Sequence, residues 1–346
     1  MGEVKEFFGN AGVVQTLDQM IEQGRIPQTL LLGGPEGIGK ATLARRFAAR
    51  LLGGAEKIEN DDLSLAHNQS LIADREKWPA DKRNEDPLLF ATHPDFVTFA
   101  PDGPLRQISI PQMRLLRERA QFKPLTGKRR VFLIDQIDRA NEQAANSMLK
   151  TLEEPPDHLI LIVTAANTYD LLPTIRSRAV PFHLTPLAEE EMRQFCASRG
   201  VADLDRRLAL AAGSPGAAIS MDLDAYLKRR TAMLALLEAA SGRAPFSAWA
   251  KFSESIGQSK SEKLEHYLKA LYLLLEDLLA VRHGHSTLRN GELRSQFESL
   301  ASAVSFEWIA AAVKKVDELN EFVRRNIQKS IALDAMVVEL RGFPKT

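Results

Sequence analysis

Short apolar runs alternate with stretches of three- to four-residue apolar spacing in the first half of the chain. "QTLLLGG" (28–34) is an apolar run ending in glycines, the pattern of a buried strand feeding a tight turn. "KATLARRFAARLL" (40–52) follows, with Leu43, Phe47 and Leu51 on one helical face. "DFVTF" (95–99), "QISI" (107–110) and "RVFLID" (130–135) have strand patterns, and "IPQMRLLRERAQF" (110–122) reads as a helix. "NEQAANSMLKTLEE" (141–154) is a helix, with Asn141 placed to cap its start and Pro155-Pro156 to stop it. "LILIVTA" (159–165) and "AVPFHL" (179–184) are further apolar β runs. Strands alternating with helices predict an α/β fold, a parallel sheet covered on both faces.

Residues 53–90 are polar and weakly periodic, which predicts a long surface insertion with room for a short helix. Thr185-Pro186 has the pattern of an N-cap and first helical residue. From there the chain reads as helices only. "AAGSPGAA" (211–218) is a turn between them, and amphipathic helices fill 222–341, broken near 241–246 and 282–292. No internal repeat stands out.

The chain of 346 residues is too long for one ordinary domain. Lys+Arg and Asp+Glu number 45 each, so no global basic excess advertises nucleic acid. Basic residues occur in short clusters: Arg45-Arg46, Lys128-Arg129-Arg130, Arg229-Arg230 and Arg324-Arg325. Each is read as a solvated helix end or an ion-pair partner; sequence-specific base readout is not expected, and phosphate-backbone contact within an assembly is left open. Cys196 is the one cysteine, which excludes an internal disulfide and a multi-cysteine zinc site. The start "MGEVKEFFGN" has no signal-peptide core, and Glu276 and Asp277 interrupt the most apolar run, "LKALYLLLEDLLAV". A cytoplasmic protein with no membrane segment is expected.

The candidate chemistry begins at "GGPEGIGKAT" (33–42). Gly34, Pro35, Glu36, Gly37, Ile38, Gly39 and Lys40 form a phosphate loop between a strand and a helix. Its backbone N–H groups can turn inward as a nest for phosphate oxygens, with Lys40 reaching the outer phosphates. Ala41 stands where Ser or Thr ordinarily ligates magnesium. Thr42 lies one residue late, a helical rotation of roughly 100°, and does not substitute easily. Asp135 ends an apolar strand and could hold magnesium through water. Gln136 follows it where a hydrolysing enzyme of this arrangement carries glutamate, and an amide is no general base.

Three long stretches closely resemble the clamp-loader branch of the AAA+ ATPases: "RIPQTLLLGGPEGIGKATLARRFA", "VFLIDQIDRANEQAANSMLKTLEEPP" and "LIVTAANTYDLLPTIRSRAVPFHL". The resemblance extends over most of the first 220 residues. It implies a RecA-like α/β core at 1–184, a small helical lid at 185–221 and an all-α collar at 222–346 that packs subunits into a ring. The collar's last helix would be "VRRNIQKSIALDAMVVELRGF" (323–343). Thr164 matches the first sensor position. Ser177-Arg178-Ala179 matches the Ser-Arg-Cys motif, with Ala for Cys, whose arginine enters the neighbouring subunit's ATP site. Ser214-Pro215-Gly216 matches the turn where motor subunits carry a second sensor arginine, absent here.

The function implied is a stator, an accessory subunit of a replicative DNA polymerase. It would join ATP-hydrolysing motor subunits and a clamp-opening subunit in a hetero-oligomeric ring that loads a sliding clamp onto primed DNA. Arg178 would act in trans, with no catalytic residue in cis. ATP or ADP could occupy the loop without hydrolysis, and magnesium is left open. Many clamp-loader subunits carry four zinc-binding cysteines after the first helix. The stretch 53–90 has none, and His67 and His93 are a poor ligand set, so no zinc is expected. His283 and His285 read as solvated loop histidines. Three alternatives compete: a working motor ATPase, opposed by Ala41, Gln136 and Gly216; a small-molecule P-loop kinase; and a scaffold whose loop stays empty.

Overall fold

A computed structural model describes residues 6–259, 262–323 and 328–343. The chain forms two compact units, one of Met1–Gly200 with Gly213–Ala217, the other of Val201–Ala212 with Ala218–Thr346.

Five parallel strands form the sheet of the first unit: β1 (Thr29–Gly33), β2 (Phe96–Phe99), β3 (Arg130–Ile134), β4 (Leu159–Ala165) and β5 (Val180–His183), in the order β2-β3-β4-β1-β5. Every residue of β1, β2, β3 and β4 is buried, which is why they read as largely apolar runs. The edge strand β5 buries only Phe182. On one face α6 (Ile110–Ala120) and α7 (Glu142–Glu153) bury Met113, Leu116, Met148 and Leu152 against Phe132, Leu161 and Val163. The phosphate-loop helix α2 (Lys40–Leu52), which follows α1 (Ala11–Glu22), packs along β3 and β4. The Asn141 side chain accepts the Ala144 N–H and caps α7.

Three local expectations change. "QISI" is not a strand: Ser109 caps α6 in a reciprocal box with Gln112, and only single bridges join Gln107 to Asp102 and Ile108 to Ala140. Thr185-Pro186 does not start a helix. The next one, α9 (Glu189–Ser198), begins after Ala188, whose N–H donates to Glu191, and the Thr185 N–H is taken by Asn10. Residues 215–218 of the expected turn are already helical, in α11 (Pro215–Ser220).

Residues 53–90 hold more helix than their weak periodicity suggests. They form α3 (Ala55–Glu59), α4 (Ala66–Glu76) and α5 (Ala80–Glu85), with Ile72, Leu88, Phe90 and Ala100 in a small core. Buried polar groups do the rest. Arg75 donates from Nε and Nη2 to Asp102 at 2.7–3.2 Å and from Nη1 to Asp86 at 3.2 Å, with its guanidinium 4.6 Å from the centre of the Trp78 ring. Asn68 donates to the carbonyls of Asn60 and Asp62. A core made from charged side chains leaves no apolar periodicity to read.

His93 is buried beneath this region, and its Nδ1 accepts the Asp95 N–H at 3.1 Å. Burial pushes its pKa below the ordinary histidine value. The folded chain therefore holds it neutral, while the unfolded chain takes up a proton near about pH 6.5. Stability present above that pH is lost as pH falls through it, until the depressed folded pKa is reached. Urea midpoints should therefore drop between about pH 7.5 and pH 5. His93→Asn, whose Oδ1 preserves the acceptor, should flatten that slope. His266 in the second unit, also lowered by burial, keeps its own share.

The second unit is helical: α10 (Leu204–Ala211), α12 (Leu223–Ala240), α13 (Phe246–Gln258), α14 (Leu264–Arg282), α15 (Arg294–Ala301), α16 (Phe306–Val323) and α17 (Lys329–Arg341). Leu236, Trp249, Leu271, Leu274, Phe297, Trp308 and Val337 form its core. Asp277, which interrupts the apolar run, is buried. Its carboxylate accepts the N–H groups of Arg289 and Asn290 and so ties the 283–292 loop to α14. Asn290 accepts the Tyr226 hydroxyl, which burial pushes up to about 12. Among the described residues no helix is long and apolar enough to cross a membrane, and no group of three side chains could hold a metal ion. Arg324-Arg325 lie outside the described residues.

Candidate functional site

Three strand ends converge at the carboxyl edge of the sheet, where open α/β folds place ligands. β1 delivers the phosphate loop, β3 delivers Asp135, and β4 delivers Thr164. The loop needs its glycines for space and backbone. A Cβ on Gly34 would lie 2.4 Å from the Leu184 carbonyl oxygen; one on Gly37, at φ 75°, would lie 2.5 Å from the Ser214 hydroxyl. Lys40 is 8 % exposed, and its Nζ donates to the carbonyls of Gly34 and Pro35 at 2.5 and 2.8 Å. Burial lowers its pKa, against the pull of Asp135, Asp138 and Glu36.

Asp135, Gln136 and Thr164 share one hydrogen-bond chain. Thr164 Oγ1 donates to Asp135 Oδ1 at 2.6 Å and accepts the Gln136 N–H at 2.8 Å. Burial pushes the Asp135 carboxyl above its usual range; the Thr164 hydroxyl, Arg45 and Lys40 oppose the shift. Gln136 sits in the left-handed region at φ 58°, uncommon for a residue with a Cβ. Ala41 is half-buried and offers no oxygen. Thr42 is exposed, and its hydroxyl accepts only from Arg45 Nη2, at 3.5 Å. The donor set therefore fits a phosphate chain but not a firmly held magnesium ion: the hydroxyl is missing, and one Asp135 oxygen is committed to Thr164.

The turn at 213–217 packs on the phosphate loop itself. Ser214 Oγ donates to the Glu36 carbonyl at 3.0 Å, and the Gly216 N–H donates to the Gly37 carbonyl at 2.8 Å. A Cβ on Gly216 would lie 2.8 and 2.9 Å from Gly37 backbone atoms, so no side chain fits there. The missing arginine is thus excluded by packing as well as by sequence.

Sequence reasoning overlooked Arg45 as part of this region. It is 2 % exposed, pairs with Asp62 at 2.6 Å and Glu59 at 3.7 Å, and acts electrostatically on Asp135. Its signal in the sequence was the acidic pair Glu59 and Asp62, at the end of α3 and in the loop after it. Arg130, Arg229 and Arg230 are ion-paired too, with Asp95, Glu262 and Glu292. His67, His283 and His285 are exposed.

Arg178 makes no hydrogen bond or ion pair with the loop, Asp135 or Thr164. It follows the short helix α8 (Pro173–Arg176) and is exposed. Its Nη2 donates to Glu153 Oε1 at 2.9 Å, and its Nη1 to the Thr174 carbonyl at 3.0 Å and the Ser177 hydroxyl at 3.3 Å. An exposed pair of this kind contributes about 0–1 kcal/mol to stability. Ala179 packs against the sheet core.

The family model described as "DNA polymerase III, delta subunit" matches residues 9–188. Escherichia coli DNA polymerase III subunit delta' is 27% identical over 234 residues, 66% of this chain and 68% of that one. DNA polymerase III subunit gamma of Buchnera aphidicola (subspecies Acyrthosiphon pisum) is 28% identical over 191 residues, 55% of this chain; the chain spans only 47% of that relative's length. The crystal structure of a Thermotoga maritima DNA polymerase III gamma subunit-related protein aligns over 95% of this chain and 98% of that one, at 16% identity and a TM-score of 0.42. Since the matched family covers more than half of the residues, the chain belongs to the DNA polymerase III delta subunit family, and is a delta prime-like member of the clamp-loader AAA+ proteins.

Proposed function

We propose that this chain is a non-motor stator subunit of a sliding-clamp loader. It joins gamma/tau-type motor subunits and a clamp-opening subunit, and it lends Arg178 to the ATP site of a neighbour. The assembly places a sliding clamp on primed DNA in the cytoplasm. One observation carries the reading: the cis site keeps its phosphate cradle while three groups that would do chemistry there are missing, and an arginine stands exposed elsewhere. Ala41 offers no metal ligand, Gln136 no base, and Gly216 has no room for an arginine.

The nest from Gly34 to Gly39 and Lys40 would hold the phosphates of ATP or ADP, with Thr164 and Asp135 at its edge; no hydrolysis follows in cis, and no zinc is involved. The core at 1–184 carries these groups, 185–221 serves as the lid and 222–346 as the collar. Arg178 suits the trans role because a guanidinium is always ionised and presents several donors in a fixed fork.

The test is turnover by composition. The purified chain alone should hydrolyse no ATP. Motor and clamp-opening subunits should show full clamp- and primed-DNA-stimulated hydrolysis only when the chain is added. Turnover by the chain alone would favour the motor reading, and an assembly indifferent to its addition would sink the stator role.

A further inference from the structure

We propose that Glu153 is a positioning residue for Arg178, holding the guanidinium where a neighbouring subunit's nucleotide phosphate would meet it. The inference rests on the trans role of Arg178 given above. An exposed arginine has many rotamers, and ordering it must come from contacts. Arg178 has three: the Thr174 carbonyl, the Ser177 hydroxyl and the Glu153 carboxylate. The first two belong to its own local segment and move with it. Only Glu153 comes from another element, the end of α7, and only Glu153 is charged. It alone ties the guanidinium to the helix that packs on the sheet.

Glu153 also breaks a local rule. It is the last residue of α7, where the helix dipole disfavours a carboxylate. A compensating cation sits 2.9 Å away, yet the side chains of this pair are 35% and 48% exposed, so the fold gains little from it. A residue that breaks a local rule without adding stability points to a functional constraint. The competing guanidinium, Arg176, is held elsewhere, 5.7 Å from the centre of the Tyr169 ring. A guanidinium has five N–H donors, and three are used here, leaving the Nε–H and one more for phosphate oxygens. An exposed carboxylate can share Arg178 with a phosphate without a large desolvation cost.

The test is a double-mutant cycle in the reconstituted loader, reading kcat and KM for ATP. Glu153→Ala should lower kcat roughly 10- to 100-fold through misalignment, with KM little changed. Glu153→Gln, which can still accept the hydrogen bond, should recover most of that loss. In the Arg178→Ala background, Glu153→Ala should change nothing further, because the two act as one unit. Urea midpoints of the Glu153 variants should match the native chain. A native-like kcat for Glu153→Ala, or an equal loss with and without Arg178, would overturn the proposal and leave the Arg178 reading standing. If Arg178→Ala itself leaves hydrolysis unchanged in an assembled loader, both fall together.

Discussion

Arg178→Ala should lower ATP turnover at the neighbouring site about 10³-fold, with assembly intact. The charge on a transferring phosphoryl group is spread over its oxygens, and a guanidinium inserted there stabilises it at the moment it grows. The native contacts of Arg178 orient the guanidinium but add little to the fold. Its partners are a carbonyl, a hydroxyl and one exposed carboxylate. Removing it should therefore cost the isolated fold little, at most about 1 kcal/mol. Arg178→Lys should fare almost as badly, because an ammonium is a point charge without the fork. The measurement is clamp- and DNA-stimulated hydrolysis beside gel filtration of the assembled complex. The loss should fall on kcat rather than KM. Unchanged hydrolysis in a complex that forms would reduce the chain to a passive scaffold.

The largest effect on stability should come from Arg75→Ala, a loss of about 3–5 kcal/mol. The Arg75 side chain is 3% exposed and its main partner, Asp102, 7%. Two donors grip the Asp102 carboxylate, a third reaches Asp86, and Nη2 also meets the Asp86 carbonyl. Burial works against the charge, but Asp102 and Asp86 more than offset it and raise the Arg75 pKa. Taking the guanidinium away leaves a buried carboxylate uncompensated, which costs far more than the pair itself contributes. Urea unfolding of the full chain reads the effect as a lower midpoint. Asp102→Ala should lose a comparable amount, and the double variant less than the sum, since either change breaks the same pair. A midpoint unmoved in Arg75→Ala would mean that α3, α4 and α5 are held by their small apolar core alone.

The strands were legible because β1, β3 and β4 are buried on both faces and keep polar residues to their ends. "QISI" failed because four alternating residues fit an edge strand and a helix cap equally well, and Ser109 with Gln112 settled it locally. Thr185-Pro186 failed because the Thr185 N–H already had a distant partner in Asn10. The 53–90 segment was underestimated for a deeper reason: its interior mixes Ile58 and Ile72 with Arg75, Asn68 and Asp61, and hydrophobic periodicity is blind to the polar share.

By itself the sequence determined the α/β class, the phosphate loop and the chemical losses at Ala41 and Gln136. These are local properties: backbone freedom, apolar runs and the presence or absence of one functional group. The tertiary structure alone decided that Thr164 bridges Asp135 and the Gln136 backbone, that Gly216 lies against Gly37, and that Glu153 holds Arg178. Each of those contacts joins residues far apart in the chain. Their meeting depends on strand order and helix packing, which no local pattern encodes.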